Sequence, residues 1–283
     1  MREVGKTSSA CCALFIVLAA FVPHAEQSVH TTPVVVELFT SEGCSSCPAA
    51  DALLQQLVDT QPVPGALIVG LGHHVDYWDQ LGWKDRFSSM AATNRQQLYG
   101  QVLNVDSIYT PQMIVDGHEE FVGSDAGRAG KAIASAIVAP HAIVSLGVTY
   151  NTETTEPTEK SKENNLNDLR GLCELCVVRV FVDVANLPKL SRGDRADVFV
   201  AVTESHLRSD VRGGENRGRT LSHGPVVRQI VTVGEAGAGA LQTRLSLNTA
   251  WKREHLTMVA FVQERFSRRV LGAAAVPLSS AAK

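Results

Sequence analysis

The chain has 283 residues, 45% of them hydrophobic, and a formal net charge of −3. That length accommodates one large or two ordinary domains with a sizeable core. Both signs of charge are spread along the chain, which leaves no electrostatic case for a nucleic-acid or anionic-membrane ligand.

The first predicted element is an export signal over residues 1–25. Arg2 and Lys6 supply a positive start, and Cys11 to Val22 is an unbroken apolar run. About a dozen residues suit a signal-peptide core and are short for a bilayer span. No stable membrane span is therefore expected after cleavage; an uncleaved anchor is the competing reading. Cleavage near Ala25 leaves Cys44, Cys47, Cys173 and Cys176 in an exported protein, periplasmic or extracellular, where disulfides persist.

Residues 30–139 alternate strand and helix. Val34–Phe39 reads as a strand, Pro48–Asp59 as a helix, and Ala66–Gly72 as a buried strand. Asp85 to Leu103 is predicted helical, with Phe87, Met90, Ala91, Leu98 and Val102 turned inward. Gln112–Asp116 and Glu119–Val122 form a hairpin about Gly117, and Ala126–Val138 is a helix of small residues. This β-α-β-α-β-β-α order is the minimal thioredoxin arrangement.

Residues 140–280 change character. Strands are predicted at Ala142–Tyr150, Val177–Val184, Asp197–Thr203, Val226–Val233, Leu241–Leu247, Thr257–Gln263 and Arg269–Pro277. Turns between them point to an antiparallel β-sandwich. Residues 151–170 are polar and read as a mobile loop. Glu204 to Pro225, rich in glycine and arginine, reads either as a long functional loop or as a solvated connection. The expected fold class is thus an α/β thioredoxin-like domain followed by an all-β sandwich-like domain.

The chemistry concentrates at Cys44-Ser-Ser-Cys47. A strand that ends at a helix N-terminus bearing Cys-x-x-Cys is a redox geometry, because unpaired N–H groups and the helix dipole favour a thiolate. Cys44 is expected to be the exposed nucleophile and Cys47 the shielded resolving thiol. Thr110-Pro111 precedes the third strand; in thioredoxin-like proteins a cis proline sits at this place and faces the cysteine pair, and an ordinary strand-start proline is the competing reading. The segment His73 to Asp85 leaves the C-terminal end of the second strand and shares a rim with Cys44. His73, His74, Asp76, Tyr77 and Trp78 are therefore expected near it. His74 and Asp76 would tune the thiol pKa, while Trp78 and Trp83 would wall a groove for a peptide or small thiol. Cys44, Cys47 and His74 could instead bind zinc or copper. Cys173-Glu-Leu-Cys176 is a second disulfide candidate, read as a clip on the polar loop, a second redox pair or half a metal site.

Five segments carry a family resemblance: Val36–Pro48, His74–Asp79, Leu81–Asp85, Tyr109–Met113 and Gly214–Thr220. Together they resemble a bacterial secreted family of unknown function. The resemblance implies export, a thioredoxin-like N-terminal domain and a C-terminal β-domain. Gly43 and Ser45-Ser46 differ from the residues of ordinary thioredoxins at these places.

Three functions follow from this reading. The first is an exported thiol–disulfide oxidoreductase that needs no cofactor. Its partners would be protein or small-molecule thiols and disulfides, with a redox partner protein. The second is a metal-binding or metallochaperone module using Cys44, Cys47 and His74. The third is a non-catalytic interaction protein with a structural Cys44–Cys47 bridge.

Overall fold

The computed structural model of the protein describes residues 31–150 and 175–279. The predicted signal (1–25), the polar loop (151–170) and Cys173 lie outside the described residues, as does the side chain of Cys176. The Cys173–Cys176 pairing therefore lies outside them too. No helix among the described residues is long and apolar enough to cross a membrane.

The first strand, β1 (Thr32–Thr40), is buried through its centre on both faces, which is why it reads as a valine run rather than an alternation. It pairs in parallel with β2 (Ala66–His74) and antiparallel with β3 (Gln112–Val115), which pairs with β4 (Glu119–Val122). Helix α1 (Cys47–Thr60) crosses between β1 and β2 and packs Leu54 and Leu57 on Val34, Val36 and Leu38. Helix α3 (Ala126–Ala136) adds Ala129, Ala132 and Ile133 to the same core.

Helix α2 (Met90–Val102) departs from expectation. It starts five residues later than predicted, where Ser89 accepts the Ala92 N–H at 3.2 Å as an N-cap. Its inward face is also different. Met90 and Leu98 are exposed, while Thr93, Arg95, Gln96 and Tyr99 are buried. The reason is a charged network under the helix. Arg95 makes a two-nitrogen contact with Glu37, at 2.5 and 2.8 Å, and Tyr99 also hydrogen-bonds to Glu37. Burial opposes ionisation of Glu37, but Arg95 and His73 outweigh it and hold the carboxyl below the ordinary carboxylate range.

In the second half, β5 (Ile143–Tyr150), β6 (Leu175–Ala185) and β11 (Leu241–Asn248) form a three-stranded sheet in the order β11-β6-β5. Strands β7 (Ala196–Glu204), β10 (Val226–Glu235), β12 (Leu256–Glu264) and β13 (Val270–Pro277) belong to a larger sheet. Val178, Val180 and Val182 of the small sheet pack on Val198, Val200, Met258 and Val262 of the large one. That is a sandwich-like core, but its large layer does not stop at β10.

Strand β10 continues in parallel onto β2 through Val226 and Gly72, and the Gly72 N–H donates to the Pro225 carbonyl at 2.7 Å. Glycine permits this approach: a Cβ at Gly72 would stand 3.1 Å from that carbonyl oxygen. The result is one mixed eight-stranded sheet in the order β13-β12-β7-β10-β2-β1-β3-β4. The described protein is therefore mostly β, with a large mixed sheet and few helices.

The predicted loop 204–225 also differs. It contains a hairpin, β8 (Leu207–Asp210) with β9 (Thr220–His223), which leans on α1. The hairpin carries the intervening residues 211–219 back over the first half of the chain.

Candidate redox and ionisable site

Cys44 and Cys47 form a disulfide with their Cα atoms 5.4 Å apart. Cys47 is the first residue of α1, with Pro48 following at a position that needs no N–H partner. Cys44 lies in the turn between β1 and α1, with its sulfur 3.3 Å from the Ser46 hydroxyl. The expected exposure of Cys44 is not seen. It is 1% exposed, while Ser45 and Ser46 face solvent. The cover comes from the 211–219 segment: Asn216 donates its amide hydrogens to the carbonyls of Glu42 and Cys44, at 2.9 and 2.8 Å. Glu215 accepts the Ser45 N–H at 2.8 Å.

The rim after β2 divides in two because successive side chains of a strand point to opposite faces. His73 does not join the cysteine turn. It stacks on Phe39 and lies 2.9 Å from Glu37, among the groups under α2. Asp76 is likewise engaged by Thr93 of α2, and the Tyr77 hydroxyl donates to Gln96. His74 points to the α1 face, but its partner is a carboxylate rather than a sulfur: Nδ1 is 2.6 Å from Asp85.

Both tryptophans do reach the cysteine turn. The Cβ of Trp78 lies beside Gly43, and its indole N–H donates to Thr110 Oγ1 at 2.8 Å. The Thr110–Pro111 bond is cis, and Pro111 packs toward Gly123 and the α1 side of β1. Trp78 thus ties Thr110-Pro111 to the turn before Cys44. The Trp83 indole N–H donates to Glu42 at 2.7 Å.

Beside the disulfide lies a buried ionisable cluster that the sequence alone did not reveal. Glu42 sits two residues before Cys44, and Asp51 sits one helical turn after Cys47. His223, at the end of β9, lies between them, with Nε2 3.2 Å from Glu42 and Nδ1 3.9 Å from Asp51. Its ring meets that of His74 edge-on at 5.0 Å. Asp85 accepts from the Glu42 backbone N–H at 2.9 Å, which closes the ring of contacts.

Burial alone would pull the His223 pKa down, but Asp51 and Glu42 reverse that and raise it to about 9. Burial likewise opposes ionisation of Glu42 and Asp85, yet His223 holds the first and His74 the second below the ordinary carboxylate range. The metal reading through Cys44, Cys47 and His74 meets a different arrangement. The two sulfurs are bonded to each other, and the donor atoms grouped with His74 are those of Asp51 and His223. Glu42, Asp85 and Asn216 stand inside the five segments, which is the signal for them; Asp51 and His223 each stand three residues beyond one.

A β-rich chain with a large mixed sheet, closing a disulfide beneath a segment from its own second half, defines the class. The chain belongs to the family described as "Protein of unknown function (DUF1223)", which matches residues 35–184 and 177–263. Among solved structures it is similar to protein AGR_C_4864 from Agrobacterium tumefaciens, at 26% identity and a TM-score of 0.58, covering 87% of this chain and 94% of that one. It also shares a fold with HBP35 of Porphyromonas gingivalis, at 16% identity and a TM-score of 0.56, covering 89% of this chain and 76% of that one. No curated protein matches the chain.

Proposed function

We propose that the protein is a thiol–disulfide oxidoreductase acting through Cys44 and Cys47. The observation that carries this is a disulfide at the head of a helix, lodged beside buried acid–base groups. We read the first half as thioredoxin-like, which fits this function; the support is the order β1-α1-β2-α2-β3-β4-α3 and a sheet segment β2-β1-β3-β4 in which only β1 and β2 run parallel. Export to an oxidising compartment belongs to the same reading and rests on Arg2, Lys6 and the apolar run Cys11–Val22.

In the reduced protein, the Cys44 thiolate attacks one sulfur of a substrate disulfide, and the other substrate sulfur leaves as a thiolate. Cys47, as thiolate, then attacks Cys44, reforms the Cys44–Cys47 bond and expels the second substrate thiolate. Two electrons pass to the substrate, and a partner dithiol resets the pair. The segment around Asn216 must shift for a substrate to reach Cys44.

The test is the reduction potential of the pair, with alkylation of the reduced protein at graded pH. A potential between about −120 and −270 mV, with Cys44 labelled before Cys47, is the expected result. A potential below about −300 mV, with both thiols inert in the folded protein, marks a structural bridge and ends the proposal.

A further inference from the structure

We propose that Asp51, His74 and His223 form a binding site for a single divalent transition-metal ion, zinc by its donor set. Their ligand atoms all lie within 4.8 Å of one another, and all three residues are buried. They come from three separate elements, α1, the end of β2 and the end of β9, so the fold itself brings them together. Two imidazoles and one carboxylate make a donor set that zinc accepts with a position left open.

The surroundings are those of a metal site. A metal-bound imidazole usually gives its other ring nitrogen to a carboxylate, which fixes the ring. Both histidines have this arrangement. His74 Nδ1 is 2.6 Å from Asp85, which leaves Nε2 for the ion. His223 Nε2 is 3.2 Å from Glu42, which leaves Nδ1, the nitrogen on the Asp51 side. The two outer carboxylates are themselves anchored: Asp85 by the N–H groups of Glu42 and Phe87, and Glu42 by the Trp83 indole.

His223 supplies the independent sign. Its ring is 2% exposed, yet neither nitrogen makes a well-aligned hydrogen bond. Nε2 has Glu42 at ion-pair distance, but Nδ1 stands 3.9 Å from Asp51, and a buried nitrogen left so is costly unless something else binds it. Three carboxylates crowd two imidazoles here, and a metal ion at Nδ1 would take the place of a proton that His223 otherwise carries between Glu42 and Asp51. A cavity of about 570 Å³, lined by Gln55, His206, Leu207, Ser222 and His223 among others, borders the cluster on its His223 side.

This site is separate from the disulfide chemistry, and the experiment keeps the two apart. Untagged protein, oxidised and stripped with chelator, is titrated with Zn²⁺ alone by calorimetry. One equivalent is expected to bind with Cys44–Cys47 intact. Asp51→Asn and His223→Gln should each abolish binding. Asp85→Asn, which keeps all three donors, should weaken it by about 10–100-fold. Co²⁺ added to the oxidised wild-type chain should give ligand-field bands without thiolate charge transfer, a readout that does not depend on any variant folding. No uptake by the oxidised chain overturns the site. So does uptake that appears only on reduction and vanishes in Cys44→Ser, since that places the metal on the thiols. Uptake undiminished in folded Asp51→Asn and His223→Gln also overturns it.

Discussion

Glu37 shows how one residue can hold two halves of a chain together. Its carboxylate is fully buried between Arg95, His73 and Tyr99, and Arg95 and Tyr99 both reach Gln263 of β12. Glu37→Gln leaves the Arg95 guanidinium buried without its counter-charge, and should destabilise the protein by about 3–5 kcal/mol in urea melts. A loss below about 1 kcal/mol would show that water reaches Arg95. The acid limb follows from the same group. Its pKa is depressed from an ordinary 4.5, so its contribution is fully present above that value and is lost as pH falls below it. The wild type should therefore lose stability more steeply below pH 4.5 than Glu37→Gln does, as urea midpoints across that range would record. The cysteine pair was legible in the sequence because its spacing is local. Glu42, Asp51 and His223 were not legible as a cluster, because their meeting depends on a hairpin more than 160 residues further along the chain.

At the scale of elements, local pattern was a good guide wherever apolar burial set the structure. The strands of both halves fall within a few residues of their predicted limits, because β-branched runs between glycine and proline turns have few other uses. Helix α2 defeated the same logic. Met90 and Leu98 face water while Thr93, Arg95 and Gln96 face in, since the charged network beneath the helix outweighs the apolar periodicity. The hairpin of β8 and β9 was hidden for a different reason. Glycine and arginine mask two strands of only four residues each, and what stabilises them is contact with α1. The hairpin's cover over the cysteines is testable. Asn216→Ala removes both amide donors from the carbonyls of Glu42 and Cys44, at a cost of about 1–3 kcal/mol. The disulfide should then be reduced faster by dithiothreitol under native conditions. An unchanged rate would mean that access runs past Ser45 and Ser46 instead.

For the whole molecule, the shared sheet is the dominant fact. Val35, Val69 and Leu71 of the first half form one core with Ala201, Val259 and Phe261 of the second. Thermal unfolding followed by tryptophan fluorescence and by far-ultraviolet circular dichroism should therefore give coincident transitions. Two separated transitions would show that the junction at β2 and β10 is weak. The junction itself can be strained at Gly70, where a Cβ would come within 2.6 Å of Val58 and 2.8 Å of Pro225. Gly70→Ala should cost about 1–3 kcal/mol by overpacking and lower both signals together.

The position of Asn216 in the chain sets a clock on the disulfide. It lies 172 residues after Cys44, so on a ribosome working at roughly 5–20 residues per second the two cysteines are complete many seconds before their cover exists. Oxidation is thus open to any oxidant the chain meets before that segment closes and restricted afterwards. The same holds in the test tube: reduced protein diluted from denaturant should oxidise quickly while the chain is open, and slowly once it has been allowed to close. Adding oxidant at increasing delays after dilution measures that interval directly. A rate independent of the delay would mean that the cover is no barrier to small oxidants.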